Sequence, residues 1–151
     1  MSADVSGYSR MMAENDVQTL RALFECLELI ASLVQGFGGR IVDAVGDNVL
    51  AEFPLPSAAV GCASRVQELL LERARGRSPN ERIQFRIGLH SGSLIAAGDR
   101  LFGDVVNVAA RLQTCAEPGH VLLSEAVASV LEPKLERQLI ERGAHWFKNI
   151  P

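Results

Sequence analysis

The order of the predicted elements indicates an α+β domain, with a ferredoxin-like βαββαβ core followed by a C-terminal helix and strand extension. Three observations predict this class. Apolar residues keep helical spacing from residue 16 to 35. A glycine-containing turn then joins two β-prone runs, and apolar residues alternate from 83 to 89. Elements in this order form an antiparallel sheet with the helices of the core on one face.

The first half of the chain supplies a strand, a helix and a hairpin. The predicted elements are a strand at residues 1–6, a helix from Asp16 to Gln35, and strands at Arg40–Val45 and Val49–Phe53. Glycines follow the helix, as is common past a helix C-terminus. The residues between the two strands, Gly46-Asp47-Asn48, are typical of a turn, so these strands are expected to pair as a hairpin.

The second half supplies the remaining elements. They are a helix capped by Ser57 and ending near Arg75, strands at Ile83–Leu89 and Leu94–Ala97, a helix from Asp104 to Ala116, a strand at His120–Leu123, a short helix capped by Ser124, and strand candidates at Leu135–Glu141 and His145–Ile150. The two serines are interpreted as caps because a serine hydroxyl accepts well from the first free backbone N–H groups of a helix.

Composition restricts the class of function. The 151 residues fit one domain, interpreted as residues 1–151 cut from a longer chain, and 48% of them are hydrophobic. The net charge of −3 excludes a broad basic surface for nucleic acid. Since no apolar run approaches the ~20 residues that cross a bilayer, a cytoplasmic location is expected.

The cysteines and histidines do not have metal-ligand spacing. They are Cys26, Cys62, Cys115, His90, His120 and His145. The cysteines are expected to be small buried side chains in a reducing compartment. A structural zinc site is therefore not predicted.

Two aspartates are candidates for a metal site. Asp4 ends the first strand, and Asp47 lies in the hairpin turn. In a ferredoxin-like sheet the first strand lies beside the hairpin, so the two carboxylates are expected at one edge, where they suit Mg²⁺ and a pair of activating ions. The alternative is that both aspartates only serve turns.

The loop after Asp4 is a candidate phosphate site. Gly7, Tyr8 and Ser9 precede a helix, so residues 5–9 would offer backbone N–H groups and a helix N-terminus to phosphates.

A second pair of polar residues lies on the helix near the C-terminus. Asn107 and Arg111 are four residues apart and therefore share one face. An amide and a guanidinium on one face suit a ribose and a charged phosphorane. The alternative for Arg111 is an ordinary solvated side chain.

These residues lie in segments that resemble the catalytic domains of class III adenylate and guanylate cyclases. The segments are Ala3-Asp4-Val5-Ser6-Gly7-Tyr8-Ser9, Gly38-Gly39-Arg40-Ile41-Val42 with Gly46-Asp47 and Leu50-Ala51-Glu52-Phe53, Phe85-Arg86-Ile87-Gly88-Leu89-His90-Ser91-Gly92, Phe102-Gly103-Asp104-Val105-Val106-Asn107-Val108-Ala109-Ala110-Arg111, Ala116-Glu117-Pro118-Gly119 and Phe147-Lys148-Asn149-Ile150. They span nearly the whole chain in the order of the family.

The resemblance implies a reaction and a set of roles. A nucleotidyl cyclase converts ATP or GTP to the cyclic 3′,5′-nucleotide and pyrophosphate, for signalling. By resemblance, Asp4, Asp47 and the Val5 carbonyl would hold two Mg²⁺ or Mn²⁺ ions. Asn107 would orient the ribose, Arg111 would stabilise charge at the α-phosphate, and Lys148 would bind the outer phosphates, although a lone lysine is also a common surface charge. The family works as head-to-tail dimers, and regulatory domains in the full-length chain are expected.

The chain departs from the family where the base is read. Adenine-selective members carry a lysine where this chain has Asp43, and an aspartate where it has Arg100. Asp43 and Arg100 could hydrogen-bond to guanine or to adenine. The resemblance favours GTP slightly, because guanylate cyclases have an acidic residue at the position of Asp43. They could also pair with each other and read no base.

Two other interpretations compete with an active cyclase. A catalytically silent cyclase-homology domain, which dimerises or senses a nucleotide, is favoured by Asp43 and Arg100 and opposed by the retained aspartates, Asn107 and Arg111. A ferredoxin-like RNA-binding module is opposed by the lack of a basic face and by only 5% aromatic residues.

Overall fold

The computed structural model describes residues 1–78, 81–93, 95–97, 100–133 and 139–143. The strands are β1 (Ser2–Val5), β2 (Arg40–Val45), β3 (Asn48–Glu52), β4 (Phe85–Leu89), β5 (Ile95–Ala97), β6 (Arg100–Phe102) and β7 (Val121–Leu123). The helices are α1 (Tyr8–Glu14), α2 (Asp16–Gly36), α3 (Pro56–Ala74), α4 (Asp104–Cys115) and α5 (Glu125–Ala128).

Five strands form one sheet in the order β2-β3-β1-β4-β7. β1 is antiparallel to both β3 and β4, and β7 extends the sheet parallel to β4. β5 and β6 form a separate antiparallel hairpin. The predicted α+β class with its βαββαβ order is confirmed.

The core lies between one face of the sheet and helices α2 and α3. Alternate residues of β4, namely Phe85, Ile87 and Leu89, are buried with apolar residues of both helices. The opposite face of β4 is covered by α4, which buries Ala109 and Leu112. The two faces of the sheet therefore carry different helices, and α4 lies outside the α2–α3 core.

The close packing of α4 depends on a glycine. A Cβ atom at Gly88 would lie 2.1 Å from the Ala109 carbonyl oxygen and 2.3 Å from the Gln113 nitrogen. No larger residue fits between β4 and the backbone of α4, so Gly88 fixes how near the helix approaches.

Two helix starts differ from the predictions. Ser57 was wrongly predicted as a cap, because α3 begins at Pro56 and its N-cap, Leu55, makes no side-chain bond. Ser124 does occupy the N-cap position of α5, but its hydroxyl pairs with His90 Nδ1 at 2.8 Å and makes no capping bond. Proline at the first helical position explains the first case, since its fixed φ suits a helix start and it has no N–H to satisfy.

The list of elements also differs at three places, and one cysteine differs in its burial. α1 and β6 were not predicted. Asn15 separates α1 from α2, because its side chain caps α2 by accepting from the Gln18 N–H at 3.0 Å.

Cys115 is exposed, against the prediction, because it lies on the outer side of α4, whereas the other two cysteines are buried. Residues 139–141, predicted as part of a strand, form none. The rest of that strand and the one at 145–150 lie outside the described residues.

Among the described residues, the structure has no helix with the length and apolar character needed to cross a membrane.

Candidate active site

The hairpin turn brings Asp47 to the end of β1. The backbone N–H of Val5 donates to Asp47 Oδ2 at 3.3 Å. Asp4 is the residue before Val5, so the two aspartates lie at the same end of neighbouring strands, as the topology predicted. This end of the central strands is called the Asp4–Asp47 edge below. Gly46 makes the turn possible, since its φ of 61° is left-handed and favours glycine.

A third charged residue, Arg86 on β4, completes this edge. Register places Asp4 directly opposite Arg86. The guanidinium donates from Nε and Nη2 to the two carboxylate oxygens of Asp4, at 3.1 and 2.9 Å. Both side chains are mostly buried, with 26% and 22% of their surface exposed. The pair therefore has the bidentate form that is strongest for a guanidinium and a carboxylate.

Sequence reasoning assigned no role to Arg86. Alternation along β4 places it on the face opposite Phe85 and Ile87, and that signal was readable. Its partner was not readable, because the pairing with Asp4 depends on the register between two strands about 80 residues apart in the chain.

The loop after β1 leads directly into α1. Gly7 has a left-handed φ of 72°, and its carbonyl accepts from the N–H groups of Arg10 and Met11. Ser9 is exposed, whereas Tyr8 is partly buried and packs against the core. The backbone of Tyr8, and not its ring, is therefore the candidate group for a phosphate site.

Asn107 and Arg111 do lie on one face of α4, and both are exposed. The opposite face of the helix, with Ala109 and Leu112, is buried against the sheet. Asn107 and Arg111 therefore lie on the solvent side of α4, whereas Asp4 lies in the sheet on which the other side of the helix packs.

The two candidate base-reading positions lie on neighbouring elements. Asp43 is exposed on β2, opposite Leu50 of β3. β6, which begins at Arg100, contacts β2. The side chain of Arg100 and all of Lys148 lie outside the described residues.

The donor atoms at the Asp4–Asp47 edge suit hard divalent cations. Carboxylates at Asp4 and Asp47 and the carbonyl of Val5 are all oxygen donors, which Mg²⁺ and Mn²⁺ prefer. In the described part of the chain no group of three or more His, Cys, Asp and Glu residues is placed to hold a metal. Two carboxylates match a site at which substrate phosphate and water supply the other ligands.

Comparison with known proteins identifies the class. Residues 1–148 match the family model of the adenylate and guanylate cyclase catalytic domain. Putative adenylate cyclase 3 of Rhizobium meliloti is 33% identical over 99% of this chain, which spans only 26% of that protein. The crystal structure of an adenylate/guanylate cyclase/hydrolase from Silicibacter pomeroyi is 36% identical, with a TM-score of 0.81 over 99% of this chain and 87% of that one.

A more distant solved structure has the same fold. The non-canonical dimeric guanylyl cyclase domain of the RhoGC fusion protein from Blastocladiella emersonii is 22% identical, with a TM-score of 0.73 over 85% of this chain and 79% of that one. The fold and the matches together define a nucleotide cyclase domain. The chain belongs to the adenylate and guanylate cyclase catalytic domain family.

Proposed function

We propose that this domain converts ATP or GTP to the cyclic 3′,5′-nucleotide and pyrophosphate. In this reaction the 3′-hydroxyl oxygen bonds to the α-phosphorus, and the bond from that phosphorus to the oxygen bridging the β-phosphate breaks. The observation that supports the proposal is the hydrogen bond from the Val5 N–H to Asp47 Oδ2, one residue along the chain from Asp4. We also propose that the whole protein acts in cyclic nucleotide signalling and that it is located in the cytoplasm.

Asp4, Asp47 and the Val5 carbonyl are the groups that would hold two Mg²⁺ or Mn²⁺ ions. Such ions lower the pKa of an attacking hydroxyl and stabilise charge on phosphate oxygens. The chain's own residues position the substrate. Gly7 and Ser9 offer backbone groups to the phosphates, and Lys148 is predicted to bind the outer phosphates.

The outward position of Asn107 and Arg111 supports a site shared between two chains. Both side chains are exposed on the side of α4 away from the sheet that carries Asp4, and we infer that a complete site takes them from a second copy. A head-to-tail homodimer supplies them, with Asn107 orienting the ribose and Arg111 stabilising charge at the α-phosphate.

The direct test is product formation from ATP and from GTP with Mn²⁺. We expect cyclic product, and a loss of about a hundredfold or more in the Asp47→Ala variant, as for removal of a group that stabilises transition-state charge. Chromatographic separation of the cyclic products measures both rates. Absence of product from both nucleotides, in protein shown to dimerise, would contradict the proposal.

Base preference is expected to depend on Asp43 and Arg100. The double variant Asp43→Lys/Arg100→Asp exchanges the two charges and should move the GTP to ATP ratio of kcat/KM toward ATP. A tenfold change or more is expected, because a hydrogen bond to a charged group contributes about 1.5–3 kcal/mol. The matched control is Glu52→Lys with Arg40→Asp, a charge exchange in a neighbouring ion pair of the same sheet. An unchanged ratio would remove both residues from base selection.

A silent cyclase-homology domain is the second candidate, and one observation favours it. Arg86 already neutralises Asp4 in the structure, so this carboxylate has a partner before any cation arrives. Such a domain would bind nucleotide or dimerise without turnover. Binding measured by calorimetry in the absence of cyclic product would support it over the enzyme.

A further inference from the structure

Ser78 lies in the connection between α3 and β4, and its surroundings differ from those of two other exposed serines that neighbour an arginine. Its side chain is exposed, and its backbone belongs to no helix or strand. Ser9 and Ser64 are also exposed and are each followed by an arginine, but they lie within α1 and α3. A helical segment would have to unwind before it could lie extended in the groove of another protein. Ser78 is therefore the accessible serine of the three.

Two arginines precede Ser78 closely. Arg75 is the C-cap of α3, where the backbone is already extended, and its side chain is exposed. Arg77 comes directly before the serine and has a 3.5 Å contact with Glu25. Both side chains of this pair are exposed to solvent by 40% or more, and such a pair contributes little. The charge pattern before Ser78 therefore suits an enzyme with an acidic peptide groove.

Arginines also line a shallow hollow on the same side of the molecule. Three guanidinium groups and two carboxylates surround it, so positive charge is in excess. These groups belong to Arg73, Arg77, Arg82, Glu25 and Glu81. The hollow has a volume of about 10 Å³, the space that a single water needs, so it does not enclose a free phosphate. An anion can meet these arginines only at the rim.

Ser78 lies at this rim. Its hydroxyl and its backbone N–H both donate to Glu81 Oε2, at 2.7 and 3.0 Å. On the other side, Arg82 Nε donates to the Arg77 carbonyl at 2.9 Å, and that carbonyl belongs to the peptide bond that joins Arg77 to Ser78. A group added to the Ser78 oxygen therefore has two guanidinium groups and one carboxylate as neighbours.

We propose that Ser78 is a phosphorylation site whose phosphate pairs with Arg77 and Arg82. In the transfer, the Ser78 oxygen bonds to the γ-phosphorus of ATP, and the bond from that phosphorus to the oxygen bridging the β-phosphate breaks. ADP leaves, and the hydroxyl proton passes to a base of the kinase. The added group carries a charge of about −1.5 to −2 and three acceptor oxygens, which suit two guanidinium forks. It repels Glu81, but two cations outweigh one carboxylate. The proposal does not depend on the cyclase reaction.

The first experiment incubates the whole chain with ATP and a serine kinase that selects arginine-rich peptides, and maps phosphate by mass spectrometry. We expect one phosphate, on Ser78. Ser93 is the internal control, because it is exposed and lies outside the helices, but no arginine is among the four residues before it. Phosphate that appears on Ser93 as fast as on Ser78, or no phosphate on Ser78, would overturn the site.

Two variants test the recognition of the arginines by the kinase. Arg75→Gln should slow the modification of Ser78 by about tenfold or more, the loss expected for one hydrogen bond between charged groups. Arg65→Gln is the matched control, since it removes an exposed arginine from the middle of α3 and should leave the rate unchanged. Equal rates for the two variants would overturn the role of Arg75.

Pairing of the phosphate is tested separately, in protein that carries phosphoserine at position 78 through cotranslational incorporation. Nearby cations favour the charged form, so a ³¹P titration should place the pKa of this phosphate below its ordinary value of about 6. Arg82→Gln should return the pKa toward that value, whereas Arg10→Gln, a change on α1, should not. A pKa above the ordinary value would show that repulsion by Glu81 dominates, and it would overturn the pairing, as would a lowered pKa that Arg82→Gln leaves unchanged.

Discussion

Mixing two inactive variants, Asp47→Ala and Arg111→Ala, is expected to restore cyclase activity. Each variant alone should lose about a hundredfold to a thousandfold in kcat, the usual cost of removing one group that stabilises transition-state charge. In a mixed dimer, the intact Asp4–Asp47 edge of one chain faces the intact Asn107 and Arg111 of the other. The expectation rests on the position of Asn107 and Arg111, which are exposed on the side of α4 away from the sheet that carries the two aspartates.

The rate expected for the mixture can be calculated from the fraction of mixed dimers. Random mixing of equal amounts places half of the chains in mixed dimers, and each of these has one intact site of two, so about a quarter of the wild-type rate is expected for a symmetric dimer. The control mixes Asp47→Ala with Asp4→Ala, which damage the same half of the site and should not complement. Equal rates in the two mixtures, with dimers verified by sedimentation, would contradict a shared site.

The Gly88→Ala variant is expected to lose about 3 kcal/mol of stability, the upper end of the cost of overpacking a core. The new methyl group would overlap backbone atoms of α4, which cannot rotate away as a flexible side chain can. A drop in Tm of roughly 10 °C follows for a domain of this length. Thermal and urea unfolding measure the change, and any folded fraction should also lose activity because α4 carries Asn107 and Arg111.

The matched control for this variant is Gly36→Ala. Gly36 ends α2, and a Cβ atom there would have no neighbour within 4 Å. Alanine has the higher helix propensity, so this change should be neutral or slightly stabilising. A Gly88→Ala protein as stable as Gly36→Ala would show that α4 can shift on β4 at little cost.

Much of the fold was predictable because its signals are local. Seven apolar positions define α2, and turn residues define the β2–β3 hairpin. The helix α1 was missed because its seven residues give too short a pattern, and Asn15 was not recognised as the cap that separates it from α2. Ser57 was misassigned because proline favours the first helical position, so α3 begins at Pro56 and Ser57 lies inside its first turn.

The sequence by itself determined the class of the domain and the identity of most candidate residues. The order of elements brings Asp4 and Asp47 to one edge, and a spacing of four brings Asn107 and Arg111 to one face. Only the tertiary structure decided which groups these residues contact. Arg86 contacts Asp4 because the register of β1 and β4 places the two residues opposite each other. It contacts the Thr114 carbonyl because α4 packs closely against β4 at Gly88. Contacts of this kind join residues that are 28 and 82 positions apart, and local propensity carries no information about such distances.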